Sequence, residues 1–222
     1  LDVLKIRSDF PMLAKLMSAH PLIYLDNAAT TQKPRAVIDK MHDFYSHHYA
    51  TVHRGVYTLS QESTWECDQV REKCQKFLNA KKSSEIIFTR GSTEAINLAA
   101  FGYGRKFLGA GDEVIISTIE HHANIVPWQQ VCAEKGAHLR VIAVNDQGEL
   151  ELEDYKKLLS ARTKIVAVGH VSNALGTVNP VKEIVRLAHE SGALVLLDGA
   201  QAVSHIRVDV QALDCDFYCF SG

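Results

Sequence analysis

Several short segments of the chain carry side chains able to hold a small anionic ligand and act on it. In Arg90-Gly91-Ser92-Thr93-Glu94 two hydroxyls follow a glycine. At a helix start, free N–H groups with the Ser92 and Thr93 hydroxyls would bind a phosphate, and Gly91 would let the backbone come close. The plainer alternative is an N-cap, with Ser92 or Thr93 capping a helix whose dipole Glu94 complements. Glu120-His121-His122-Ala123-Asn124 sets two imidazoles in a turn, either of which could be a surface group. His170-Val171-Ser172-Asn173 offers an amide that either addresses a ligand or shapes a turn. Asp198, ahead of Gly199-Ala200-Gln201, ends the most apolar run of the chain. It is either a helix cap or a partly buried carboxylate suited to pair with a cationic ring nitrogen.

These segments need a scaffold that brings them together, and the pattern after residue 85 supplies one. Strand-sized apolar runs at 85–89, 113–117, 138–144, 163–169, 193–198 and 216–220 alternate with helical patterns at 93–107, 123–135, 152–160 and 181–191, and a short one after Gln201. Strands apolar throughout, each followed by a helix-length crossover, indicate an α/β fold: a mostly parallel sheet flanked by helices. Ligands of such sheets collect at the carboxyl ends of the strands, where each of these segments falls and where Ser221-Gly222 follows the last run. The first 80 residues read as helices at 34–50 and 59–78 joined by a polar stretch, after a lead-in helix over 1–16 broken at Pro11. The domain expectation is a helical lead-in over 1–20 and an α/β domain over 21–222.

Taken together, a phosphate cradle, a carboxylate for a pyridinium nitrogen, amides for a phenolic oxygen and an imidazole for a ring face describe a pyridoxal 5'-phosphate site. Other motifs fail by position. Gly102-Tyr103-Gly104 lacks the third glycine of a dinucleotide fingerprint, since Phe107 stands there. Gly104 and Gly109 have P-loop spacing, but Ala110 replaces the lysine. His42, His47, His48 and His53 are spaced by five or six rather than the three or four that align ligands on a helix, so no metal is expected.

Composition removes further classes. Twenty-four Lys+Arg against 26 Asp+Glu leave a net charge of −2, with no basic excess to neutralise a nucleic acid. With 46% apolar and 23% charged residues the chain is globular rather than disordered. Its apolar runs fall far short of the roughly 20 residues a membrane helix needs. No export leader is visible, and five scattered cysteines without a C-x-x-C pair suit free thiols, so the expected compartment is the cytoplasm. Cys215 and Cys219, alternate residues of a strand-like run, read as small core residues.

The chain resembles the N-terminal half of a SUF-type (group II) cysteine desulfurase, in the fold-type I, class V aminotransferase superfamily. The resemblance rests on Asp9-Phe10-Pro11, Tyr24-Leu25-Asp26-Asn27-Ala28-Ala29, Val52-His53-Arg54-Gly55, Arg90-Gly91-Ser92-Thr93-Glu94, Glu120-His121-His122-Ala123-Asn124-Ile125-Val126-Pro127-Trp128, His170-Val171-Ser172-Asn173, Asp198-Gly199-Ala200-Gln201-Ala202 and Asp214-Cys215-Asp216-Phe217-Tyr218. It implies that Ser92 and Thr93 bind the cofactor phosphate with help from Ser221, and that His121 stacks on the ring as the catalytic imidazole. Asn173 and Gln201 would address the phenolic oxygen, and Asp198 would keep the ring nitrogen protonated. His53 and Arg54 would lie near the pocket or at a dimer interface. The implied reaction converts L-cysteine to L-alanine, with the sulfur carried as an enzyme persulfide to a SUF-type acceptor protein for iron–sulfur assembly by a homodimer. A selenocysteine lyase acting on L-selenocysteine, or another class V aminotransferase, would share these residues; a non-catalytic interaction protein is the alternative of another class.

In that family the lysine anchoring the cofactor follows Ser-Gly by two residues, beyond Gly222, and the last lysine here, Lys182, lies in the 181–191 helix. The sulfur-accepting cysteine and the arginine for the substrate carboxylate also belong to the other half, and none of the five cysteines matches the former. The expectation is therefore that residues 1–222 alone do not turn over cysteine. A second is that a sheet lacking the family's later antiparallel strand, between the first and last strands named above, is poorly stable.

Overall fold

The computed structural model describes all 222 residues, in two units: Leu1–Lys73 and Cys74–Gly222. In the second unit five strands, β3 (Glu113–Ser117), β4 (His138–Ile142), β5 (Thr163–Gly169), β6 (Leu194–Asp198) and β7 (Phe217–Cys219), form one sheet in the order β4-β3-β5-β6-β7. Every pairing is parallel. Alternate residues of the central strands divide between two cores, as the two-residue period of a strand requires. Val114, Ile116, Ile165, Ala167 and Leu196 pack on one face with Trp128 and Val131 of α6 (Val126–Lys135) and Ile96 of α4 (Ser92–Leu98). Ile115, Val166, Val168, Val195 and Leu197 pack on the other with Tyr155 of α7 (Leu152–Leu158) and Ile184 and Val185 of α8 (Val181–Glu190). The sheet is thus covered on both faces, as the α/β reading expects. The chain leaves β3 for β4 on one side and returns to β5 on the other, so the topological switch point lies between β3 and β5.

Several elements depart from their sequence reading. Residues 85–89, expected as a strand, follow a 3-10 turn (Ser83–Glu85) and do not join the five-stranded ladder, which ends at β7. Ile86 is extended and buries its side chain against Leu78, Ala80, Ala202 and Val208, while Ile87 is 68% exposed. A β-rich run becomes a strand only where a neighbour can supply its ladder. The 93–107 helix runs from Ser92 to α5 (Arg105–Phe107) but widens into a π segment over Ala99–Gly104, where two glycines weaken helix preference. At Gly104 a Cβ would come within 3.2 Å of Val131 and 3.4 Å of Trp128, a tight fit. The helix expected after Gln201 is a run of turns. The His205 N–H bonds the Ala202 carbonyl three residues back, and the His205 ring takes the Gln201 carbonyl, so regular helix waits until α9 (Val210–Leu213).

The first unit contains α1 (Val3–Ser8), a 3-10 turn at Pro11–Ala14, a hairpin of β1 (Leu16–Met17) and β2 (His20–Pro21), α2 (Arg35–Asp43) continued by a π turn over Phe44–His48, and α3 (Thr58–Leu78), within which the unit boundary falls. The hairpin was not legible because its turn residues, Ser18 and Ala19, both take positive φ without the usual Asn-Gly signal. Ser60 and Ser63 are the buried residues of this unit; every buried hydrophobic side chain belongs to the second. No helix of the chain is long and apolar enough to cross a membrane.

Candidate functional site

The parallel ladder fixes a rim. Gly169, Asp198 and Cys219 lie side by side at the carboxyl ends of β5, β6 and β7, and Ser117 ends β3. Asp198 shares the parity of Leu196, so its side chain projects on the face covered by α4 and α6. It is 8% exposed and accepts a hydrogen bond from the Ala200 N–H at 3.0 Å. Burial raises its carboxyl above the usual range, against that hydrogen bond and the charge of the His121 imidazole. Asp198 and His121 are therefore close enough to interact electrostatically.

His121 is exposed at the start of a 3-10 turn (His122–Asn124); in its neutral form Nδ1 accepts the Ala123 N–H at 3.1 Å and Nε2 carries the proton. The 90–94 segment opens α4, which packs against the His122–Asn124 turn and β7. Its N-cap is Gly91, at φ +152°, a conformation that a side chain rarely adopts. Glu94 accepts the Arg90 N–H at 2.6 Å, so the helix entry is held without the Ser92 or Thr93 side chains and the capping alternative for those two falls away. The Ser92 N–H donates to Ser221 Oγ at 3.2 Å, and the two hydroxyls approach at 3.5 Å, so the structure brings both ends of the expected phosphate cradle together.

Asn173 is exposed in a loop closed by the Val171–Val178 bridge, in which Ser172 Oγ accepts the Ala174 and Leu175 N–H groups at 3.3 and 3.2 Å. Gln201 is half-buried in the turn directly after Asp198. His53 and Arg54 belong to the first unit. His53 sits at φ +62° and donates its N–H to Thr64 Oγ1 at 2.9 Å in a loop knitted to α3. His47 and His48 pair with Asp43, at 3.1 and 3.5 Å.

Sequence reasoning missed a polar chain at the switch point, running from half-buried Glu120 to buried Asn124. The Glu120 carboxyl accepts the Ser117 hydroxyl, the Asn124 side-chain amide at 2.8 Å and the Gly169 N–H. Asn124 Oδ1 in turn accepts the Trp128 Nε1–H at 3.1 Å. The spacing 120, 124, 128 was the available signal, one position per helical turn. Burial wins over those hydrogen bonds and, with the charge of Asp198 added, pushes the Glu120 carboxyl up to about 7. Beside Asp198, His170 Nδ1 and the Tyr218 hydroxyl lie 3.0 Å apart, both buried enough that the imidazole is pushed down and the phenol up. All five cysteines are free, and burial pushes the Cys132 thiol up to about 11 and those of Cys215 and Cys219 up to about 12, so none of the three is a ready thiolate.

Residues 23–222 match the aminotransferase class-V family. A cysteine desulfurase of Shigella sonnei is 55% identical over 218 residues, covering 98% of this chain and 54% of that protein. The apo structure of a cysteine desulfurase from Thermococcus onnurineus superposes with a TM-score of 0.91 at 37% identity, over 99% of this chain and 52% of the other. A structure titled SspA in complex with cysteine superposes with a TM-score of 0.84 at 27% identity, over 90% of this chain and 57% of the other. The chain thus spans about half the length of the Shigella relative. With the sheet order, the rim and the matched span in agreement, the chain belongs to the class-V aminotransferase family, whose cofactor is pyridoxal phosphate, and within it is similar to cysteine desulfurases.

Proposed function

We propose that the protein carrying this chain is a cysteine desulfurase that converts L-cysteine to L-alanine, passing the sulfur as a persulfide to an acceptor protein of the SUF type for iron–sulfur cluster assembly. The observation that carries the reading is the buried Asp198 carboxylate at the carboxyl end of β6, with the His121 imidazole in electrostatic range. A carboxyl in that setting is out of place unless a cation lies opposite, because burial alone drives it towards the neutral acid. A protonated pyridine nitrogen is such a cation, so the residues present fit pyridoxal 5'-phosphate. When bound, that group supplies an electron sink for a carbanion at the substrate's α-carbon.

The chain's own residues would then divide the work. Asp198 holds the ring nitrogen protonated, and its own anion is favoured by the same contact. Ser92, Thr93 and Ser221 donate to the phosphate, Asn173 and Gln201 address the phenolic oxygen, and His121 covers the ring face with its Nε2–H available for proton transfer. Residues 21–222 form part of the cofactor domain, residues 1–20 a lead-in, and the working enzyme is a cytoplasmic homodimer in which His53 and Arg54 lie near the pocket or the interface. Turnover requires the half of the relatives' length that this chain does not span. The similarity to a protein solved with cysteine supports the substrate class. Incubating the purified full-length protein and its Asp198→Ala variant with L-cysteine and with L-selenocysteine tests the reading: alanine should appear from cysteine with wild type and fall about a thousandfold with the variant. No alanine from wild type, or equal rates from both, contradicts it.

A further inference from the structure

The turn that carries His121 has to hold an exposed imidazole still at the edge of a crevice. Its backbone bonds are short-range: Asn124 N–H to His121 O at 2.7 Å and Ile125 N–H to His122 O at 3.1 Å. These shape the turn but do not attach it to the sheet. The Thr118 N–H bonds the Ile142 carbonyl at 3.1 Å and Ala123 packs into the core, but the hydrogen bonding that reaches β5 runs through one side chain. The carboxyl of Glu120, the residue before His121, takes the Ser117 hydroxyl from the end of β3, the Gly169 N–H from the end of β5 and the Asn124 amide from the far end of the same turn. Asn124 is 0% exposed and accepts from Trp128, itself 1% exposed in the core under α6. One carboxyl therefore links two strand ends to the base of α6, at the switch point of the sheet.

We propose that Glu120 is a positioning residue, whose carboxyl clamps the His121 turn to the ends of β3 and β5 and so fixes the imidazole on the Asp198 side of the coenzyme crevice. Packing alone would be served better by an apolar side chain, because a buried carboxyl is expensive unless its hydrogen bonds are used. Here both oxygens are used: Oε1 by Ser117 and Oε2 by Asn124. Each donor comes from a different part of the rim, which is what a clamp requires and a lone cap does not.

The role rests on the coenzyme reading above, and the experiment separates the two. The purified full-length protein and its Glu120→Gln, Glu120→Ala and Asn124→Leu variants are titrated with pyridoxal 5'-phosphate. Two signals are recorded: the visible circular dichroism induced in the bound coenzyme, and hydrogen exchange at Ala123, Asn124 and Ile125. Glu120→Ala should weaken the induced signal and speed exchange in the turn about tenfold or more while β5 and β6 stay protected. Glu120→Gln, which keeps an acceptor for Asn124 and can still bond Ser117, should recover most of both. Asn124→Leu removes the amide that donates to the carboxyl and should resemble Glu120→Ala, so it reads the clamp where the alanine variant does not fold. Wild-type dichroism and exchange in Glu120→Ala or Asn124→Leu would overturn the role of Glu120. No induced signal in the wild-type protein would instead overturn the coenzyme reading, and with it a clamp that serves the coenzyme.

Discussion

Two carboxyls at opposite ends of β3 show how environment assigns roles to one side chain type. Glu113, at the amino end, is 2% exposed but meets Ser160 Oγ at 2.7 Å, Arg140 at 2.9 Å and Arg162 at 3.2 Å, and these partners hold its carboxyl below the usual range. It is an anion tying strand ends together, and its contribution is lost as pH falls through the acid range. Glu120, past the carboxyl end, has neutral donors and the like charge of Asp198, and sits near 7 instead of 4.5. The folded protein therefore holds this proton more tightly than the unfolded chain does. The associated stability is complete below pH 4.5 and drains away as pH rises to about 7, by no more than about 3 kcal/mol. Asp198, also raised by burial, adds in the same sense, while the nearby His121 charge opposes it. In urea melts at stepped pH, Glu120→Gln should flatten the fall in stability between pH 4.5 and 7; an unchanged slope would show that Glu120 does not carry that proton. His121, Asn173, Asp198, Gln201 and Ser221 could be proposed from the sequence because each lies at or just after an apolar run that forms a strand, whereas Ser92 and Thr93 follow the run at 85–89, which does not. Glu120 was not singled out, since its spacing to Asn124 and Trp128 reads as a polar chain only once the carboxyl is known to turn inward.

At the scale of elements, the rim depends on how closely β6 and β7 approach beyond their ladder. The Gly199 N–H donates to the Cys219 carbonyl at 2.7 Å, and a Cβ on Gly199 would run into the Tyr218 ring. Gly199 is thus required by space rather than by φ. Gly199→Ala should lose about 1–3 kcal/mol in urea melts through overpacking. In the background of Tyr218→Ala, which removes the ring, the same change should cost less than half as much. Equal penalties in both backgrounds would place the strain elsewhere. The glycine was visible in the sequence as part of Asp-Gly-Ala-Gln, but its partner was not, because strand register brings Tyr218 alongside only once β7 is docked. The same logic separates the elements read correctly from those missed. The strands at 113–117 and 163–169 are apolar enough to demand burial on both faces, so pattern alone places them. The run at 85–89 has equal β character, yet its fate depends on a neighbour that pattern cannot supply.

For the molecule as a whole, the division at residue 73 left no trace in composition, because the boundary falls inside a helix rather than in a Gly/Ser linker. Its physical mark is burial. The second unit holds every buried hydrophobic side chain, while in the first Val37, Ile38 and Met41 of α2 are each more than 40% exposed. Amides of α2 in the 222-residue chain should therefore exchange at least about a hundredfold faster than those of β5 and β6, since local opening tracks missing apolar contacts. Matching protection in α2 and β5 would show that a partner surface, such as a second copy, covers the helix in solution. The expectation of a poorly stable sheet belongs to the same scale: a sharp two-state urea transition of residues 1–222 would count against it. Above all of these stands the claim that the rim of β3, β5, β6 and β7 is built around a coenzyme. A crystal structure of the protein grown with pyridoxal 5'-phosphate tests it most directly. The account predicts the Asp198 carboxylate hydrogen-bonded to the ring nitrogen, His121 over the ring and the phosphate against Ser92, Thr93 and Ser221. A coenzyme bound elsewhere, or an Asp198 side chain turned away from the ring, would contradict it.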